Sequence, residues 1–376
     1  MSSDLITAVQ AALATVNDPE IRRPITDLGM VKTIAEDGGR VQVDLWLTVA
    51  GCPMKDRLTN DIKAAVGAVA GVTGVDVVLD VMSDEQRQAL KESLRGAAAG
   101  RTVPFTAPGN LTRVYAVASG KGGVGKSSIT VNLAAAMAAD GLSVGVLDAD
   151  IYGFSVPRML GVEQAPTKLD DMILPPVAHD VKVISIGMFV PGNQPVVWRG
   201  PMLHRALEQF LTDVHWGEPD YLLVDMPPGT GDIALTLSQK VPLTGAIIVT
   251  TPQDIALIDA KKALTMFKKV GVPILGIVEN MAVHICTNCG HAEHIFGADG
   301  GRKMATEYEV DYLGALPLTM KIREQADSGR PSVAAEPESE IAALYKQVAR
   351  TVAMKIAAKA KDFSSKFPTI TVSKTT

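Results

Sequence analysis

The sequence predicts an α/β protein in which a doubly wound, mostly parallel sheet domain is preceded by a small α+β domain. From Arg113 onward, short near-continuous apolar runs alternate with helical segments, the signature of a parallel sheet covered on both faces. One strand-to-helix junction in that region is the glycine-rich loop Gly120-Lys121-Gly122-Gly123-Val124-Gly125-Lys126-Ser127. Before residue 85 the pattern differs, with period-two strands set among helices.

In chain order, Leu5, Ile6, Val9, Leu13 and Val16 fall at helical spacing, with an early Asp4 and no basic leading segment. This reads as an amphipathic helix rather than a secretion signal. After a Pro/Asp-rich turn, Val41, Val43, Leu45 and Leu47 alternate with Gln42, Asp44 and Trp46, as a half-buried strand requires. Ala64 to Val69 continues a second helix and Val75 to Val81 reads as another strand, so residues 1–85 form the small domain. Residues 86–110 dissolve into charged, Ala/Gly and Pro stretches, the composition of a linker. The strands expected next are Val114 to Ala118, Ser143 to Leu147, Val181 to Ile186, Tyr221 to Val224, Ala246 to Val249 and Ile274 to Val278. Ile341 to Ala360 closes the 111–362 domain as a helix, and residues 363–376 read as a frayed tail.

With 376 residues, 47% of them hydrophobic, the chain has material for about two folded domains. A net charge of −5 argues against the basic face that nucleic-acid binding uses, so no nucleic-acid partner is expected. No apolar run reaches the length of a membrane-spanning helix, and no stable membrane association is expected. The three cysteines, Cys52, Cys286 and Cys289, are too few for a disulfide framework. Reduced thiols fit a cytoplasmic setting.

The loop from Gly120 to Ser127 satisfies the full phosphate-loop pattern, and its position between an apolar strand and a helix starting at Lys126 is the context that pattern needs. Glycines let backbone N–H groups turn inward around phosphates, and the helix N-terminus adds a positive dipole end. Lys126 is expected to bridge the β and γ phosphates and Ser127 to ligate Mg²⁺. Ser128 joins Gly120, Lys121, Gly122, Gly123, Val124 and Gly125 in the cofactor-binding set. Asp225, ending the apolar run Tyr221-Leu222-Leu223-Val224, is expected to hold Mg²⁺ through water. Asp148 and Asp150 close another strand, at the sheet edge where ligands of such folds bind. Asp150 is the candidate for orienting the attacking water, and Asp148 for holding the local network. Both carboxylates also suit a plain loop cap, since Asp is a common turn residue.

Cys286 and Cys289 form a C-x-x-C that supplies two thiolates where a tetrahedral or cubane site takes four. Two copies of the pair meeting on a twofold axis complete a 4Fe-4S set. His284, His291 and His294 leave open a zinc site within one chain, and a redox dithiol lacks the strand-to-helix setting it usually has. Cys52, between Gly51 and Pro53, reads more often as a buried small apolar residue than as a ligand, and only a family resemblance brings a reactive reading level with it.

Lys121, second in the phosphate loop, is the signature lysine of the deviant Walker A class, shared by Mrp-type carriers, partitioning ATPases and nitrogenase reductase. Asp148-Ala149-Asp150-Ile151-Tyr152-Gly153, Trp198-Arg199-Gly200-Pro201-Met202 and Asp225-Met226-Pro227-Pro228-Gly229-Thr230-Gly231-Asp232 resemble the Mrp (ApbC-like) iron-sulfur carrier ATPases specifically. So do Val278-Glu279-Asn280-Met281 and Cys286-Thr287-Asn288-Cys289-Gly290. The N-terminal residues Asp18-Pro19-Glu20, Asp27-Leu28-Gly29 and Thr48-Val49-Ala50-Gly51-Cys52-Pro53 resemble the metal-sulfur cluster assembly domain often fused to bacterial members. The sequence departs from the family at Phe154, where proline usually precedes Ser155.

The resemblance implies an ATP-hydrolysing homodimer with facing nucleotides, Lys121 of one subunit contacting the phosphates of the other, and Asn280 in base recognition. It also implies a 4Fe-4S cluster shared between subunits, cluster donors, and apo-protein clients. A partitioning ATPase is the main rival, for which Lys355, Lys359 and Lys361 offer only a weakly basic helix. A zinc-stabilised nucleotide switch is another.

Overall fold

In the computed structural model the described residues are 2–49, 52–95, 103–107, 109–151, 153–189, 200–286 and 288–359. Tyr152, Trp198-Arg199, Thr287, Ala50-Gly51 and the expected tail at 363–376 lie outside them. The strands are β1 (Val31–Asp37), β2 (Arg40–Leu47), β3 (Gly74–Val81), β4 (Arg113–Ser119), β5 (Val144–Asp148), β6 (Thr167–Leu169), β7 (Met172–Leu174), β8 (Val177–Ala178), β9 (Val181–Ser185), β10 (Tyr221–Asp225), β11 (Gly245–Thr250), β12 (Ile274–Glu279), β13 (His284–Ile285), β14 (Ala292–Glu293) and β15 (Tyr312–Ala315). Every apolar run expected as a strand is one. The eight-stranded sheet has the order β15-β12-β11-β4-β10-β5-β9-β8. Pairs β11–β4, β11–β12, β12–β15 and β5–β9 are parallel, and only the two-residue β8 is seen to run against its neighbour. Among the described residues no helix is long and apolar enough to cross a membrane.

The chain divides into two compact units, Met1–Arg113 with Ser143–Leu222, and Val114–Leu142 with Leu223–Thr376. The N-terminal residues share a unit with Ser143–Leu222, and the reason is visible in that unit. Its N-terminal part is a sheet of order β1-β2-β3 with the helices Ser2–Leu13 and Lys55–Gly67. Val41, Val43, Leu45 and Leu47 of β2 point into a core with Val9, Leu13, Leu58, Ile62 and Val66. Leu169, Met172 and Leu174 of the β6–β7 hairpin are buried in that same core. The first part of the expected linker is a helix, Asp84–Arg95, because Leu90 also finds a place there. Polar contacts reinforce the joint: Thr167 Oγ1 donates to Glu20 Oε1 at 2.8 Å, and Lys91 pairs with Asp171.

In the second unit the helix Lys126–Ala139 is buried on nearly every side, from Ile129 to Met137. Such a helix has no polar face and belongs to the centre of a layered fold. The closing helix Glu340–Lys359 covers it with Tyr345, Val348, Ala349 and Val352, and Arg350 pairs with Asp140 at 3.0 Å.

Burial pushes the Glu20 carboxyl from its ordinary 4.5 up to about 7, partly offset by the Thr167 hydroxyl. The native chain therefore keeps a proton on Glu20 that the unfolded chain releases near its ordinary value. The sign follows by linkage: stability is highest below that value and is lost as pH rises to about 7. We expect the urea midpoint of the native chain, compared with Glu20→Gln, to fall across this window by the equivalent of about 3 kcal/mol. Parallel midpoint curves for the two proteins would show that Glu20 is not held protonated.

Candidate functional site: the phosphate loop and the cysteine hairpin

The phosphate loop leaves β4 and enters the helix Lys126–Ala139. Gly123 and Gly125 sit at φ +81° and +82°, a conformation open to glycine at little cost. Gly120 is glycine for a different reason. A Cβ there would fall 2.0 Å from the carbonyl carbon of Asp259, so the loop can lie against the helix Asp254–Lys269 only without a side chain.

At the start of the loop helix, Lys126, Ser127 and Asp225 come together. Lys126 Nζ and Ser127 Oγ each donate to Asp225 Oδ2 at 2.6 Å, and Lys126 Nζ lies 3.3 Å from Ser127 Oγ. Thr130 Oγ1 donates to Asp225 Oδ1, also at 2.6 Å. Sequence reasoning missed Thr130, although its position one helical turn beyond Lys126 on the same face was a usable signal. An ammonium, a hydroxyl and a carboxylate converging at the N-terminus of a helix suit a phosphate chain and a hard divalent cation such as Mg²⁺. Switch-like residues follow directly, with Met226 and Gly229 N–H groups donating to Val117 and Ser119 carbonyls. Lys121 is half-buried, and its carbonyl accepts from Ser119 Oγ at 2.9 Å.

Asn280 reaches the loop from the end of β12. Its Nδ2 donates to the Val124 carbonyl at 2.9 Å, so it braces the phosphate loop. A Cβ at Gly125 would fall 2.1 Å from that Nδ2.

In the first unit, Asp148 ends β5 fully buried. Its Oδ1 accepts from the Asp150 N–H at 3.2 Å, and its Oδ2 from the Val156 N–H at 3.3 Å and Ser185 Oγ at 3.1 Å. Asp148 thus joins these three donors, with Asp150 beside it and also buried. Ser185 was not legible in the sequence, since its partnership depends on the register of β5 with β9.

Cys286 and Cys289 stand in the loop of the β13–β14 hairpin, half-buried and exposed respectively. Backbone hydrogen bonding at Cys289 and Asn288, together with the Cys289 side chain, holds the Cys286 thiol below the ordinary range. Donors of this kind favour thiolate, the form that ligates metal. Of the flanking histidines, His284 Nδ1 meets the Leu318 carbonyl at 3.0 Å and His294 Nδ1 the Ala282 carbonyl at 2.8 Å, the kind of bond that orients an imidazole whether or not its other nitrogen ligates a metal. Among the described residues no three His, Cys, Asp or Glu side chains are grouped so as to hold a metal ion. Cys52 is buried, and its thiol is pushed up to about 11 by that burial, so it is protonated at neutral pH. His215 is half-buried, with its imidazole held neutral by desolvation and by the nearby Lys182.

The Asn280 brace generates a prediction. Gly125→Ala is expected to weaken nucleotide binding by on the order of 100-fold, about 2.7 kcal/mol, while leaving the circular dichroism spectrum native. Titration with a fluorescent nucleotide analogue measures it, and native affinity would show that the close approach of Asn280 to Gly125 is dispensable.

Residues 6–77 match a family model described as iron-sulfur cluster assembly protein, and residues 110–353 one described as NUBPL iron-transfer P-loop NTPase. An iron-sulfur cluster carrier protein of Mycobacterium tuberculosis is 52% identical over 345 residues, covering 90% of each chain. Another, of Escherichia coli, is 45% identical and covers 93% of this chain and 91% of its own. The solved nucleotide-binding protein of Archaeoglobus fulgidus in complex with ADP is 33% identical with a TM-score of 0.54, covering 69% of this chain and 95% of that one. On the model spanning both the phosphate loop and the cysteine hairpin, the chain belongs to the family of NUBPL iron-transfer P-loop NTPases.

Proposed function

We propose that the protein is an ATP-dependent iron-sulfur cluster carrier, which binds a 4Fe-4S cluster at a homodimer interface and transfers it to apo-proteins. The observation that carries the reading is the placement of Cys286 and Cys289 together in the loop of one short hairpin, half-buried and exposed. One chain offers two thiolates and the cluster takes four, so a second copy related by a twofold axis completes the set. The names of the M. tuberculosis and E. coli relatives support the cargo. Exposure of the cysteine hairpin suits a cluster that must be released again, and reduced thiols suit action in the cytoplasm.

In this reading Lys126 lies along the β and γ phosphates, while Ser127 and Asp225 hold Mg²⁺, directly and through water. Their shared hydrogen bonds at 2.6 Å and 3.3 Å support that grouping. Asp150 orients the attacking water and Asp148 fixes the loop that carries it. Lys121 acts on the phosphates of the other subunit as a point charge, and Asn280 contacts the base as well as bracing the loop. Hydrolysis of ATP to ADP and phosphate then changes dimer geometry and cluster affinity. Client apo-proteins and a cluster donor are the implied partners.

Lys121→Ala is expected to retain nucleotide binding and to lose turnover by on the order of a thousandfold, the scale of trans-acting cations on a transferring phosphoryl group. Unchanged phosphate release would remove Lys121 from the mechanism. For the cargo, anaerobic reconstitution with iron and sulfide should load about two irons per chain in the native protein, half of a four-iron cluster. Cys286→Ala with Cys289→Ala should load almost none. Retained zinc with little iron in the native protein would instead make the pair a structural metal site.

A further inference from the structure

We infer that Phe154 is a positioning residue for Asp150, and that residue 187 is glycine to provide the seat for its ring. The inference rests on the ATPase reading above. Phe154 lies in the loop between Asp150 and the short helix Val156–Met159, is one of the large apolar side chains exposed at 40%, and turns the rest of its ring onto Gly187. A Cβ at residue 187 would lie 2.3 Å from Phe154 Cδ2 and 2.7 Å from Cγ and Cε2, far inside van der Waals contact. Gly187 is absent from the positive-φ residues, so space for the ring, rather than backbone freedom, is what glycine supplies there.

The contact closes a small circuit around the buried Asp148. Asp148 accepts from the Asp150 and Val156 N–H groups and from Ser185 Oγ, and Ser185 Oγ accepts from the Gly187 N–H at 3.2 Å. The loop is therefore tied at Asp150 and at Val156 to one carboxylate. The same carboxylate is tied through Ser185 to the turn on which Phe154 sits. Among the described residues of this loop, the Phe154 ring joins it to that turn directly, beside the link through the shared carboxylate. Placement errors of about 1 Å in a catalytic group can cost on the order of 100-fold in rate, and a loop restrained at its ends and at Phe154 has less room for such errors.

The test is a double-mutant cycle on Gly187→Ala and Phe154→Ala, with Phe154→Leu as the conservative variant. We expect each single change to lower kcat for ATP hydrolysis by on the order of tenfold with the KM for ATP within about twofold, because the loop rather than nucleotide binding is affected. The double variant should fall no further than the worse single, since both remove one contact, and Phe154→Leu should recover part of the rate. Unchanged kcat in Phe154→Ala, or losses that multiply in the double variant, would overturn the inference. A second reading needs no turnover: amide exchange at Asp150 and Val156 should speed up in both single variants. Unchanged exchange overturns the positioning role, whereas faster exchange in the variants of a protein whose native form does not hydrolyse ATP faults the ATPase reading alone.

Discussion

The constraint on which the second unit depends is the burial of the Asp225 carboxylate at the end of β10, fully screened from water. A bare carboxylate in such a place would cost several kcal/mol. Here two hydroxyls and one ammonium are directed onto its two oxygens. Because Lys126, Ser127 and Thr130 all lie within the first five residues of one helix, satisfying Asp225 fixes the rotation and height of that helix at the same time. The glycines of the loop then follow. Gly123 and Gly125 make the left-handed turn that lets the chain reach Lys126, and Gly120 lets the loop lie on the backbone of the helix Asp254–Lys269.

The first unit shows a different economy. Leu169, Met172 and Leu174 complete a core whose other members come from residues before 95. A small domain with a three-stranded sheet buries a modest fraction of its surface, and borrowing an apolar hairpin enlarges the core. The same joint buries ionisable groups. Lys182, its ammonium lowered to about 8 by burial, donates to the carbonyls of His215 and Trp216, and Glu20 meets Thr167. The N-terminal residues are thus built into the segment that follows Asp148 and Asp150 rather than merely tethered ahead of it.

Most of the fold was legible because the strands flanking the phosphate loop are continuous apolar runs, whose burial on both faces leaves no other reading. The phosphate loop, Asp225 and Asp148 stood out in the sequence because each sits at a strand end, where sequence position and chemistry coincide. What escaped was set by pairing between distant segments. The β6–β7 hairpin is three residues on each side, too short for periodicity to register, and the helix Asp84–Arg95 hides in a charged stretch whose helical face is narrow. Ser185 became visible only through its register with Asp148, and Gly187 only through the ring of Phe154 lying on it. Cys52 had two equal readings in the sequence, and burial decides for the protonated thiol at neutral pH.

The central claim is that two copies of the Cys286–Cys289 hairpin hold one cluster. Native mass spectrometry of the anaerobically reconstituted protein addresses it directly, because it weighs chains and inorganic atoms together. The account predicts a species with the mass of two chains plus one four-iron, four-sulfide cluster, which reverts to single chains when the iron is chelated. A single chain carrying its own metal, with no two-chain species bearing a cluster, would contradict it.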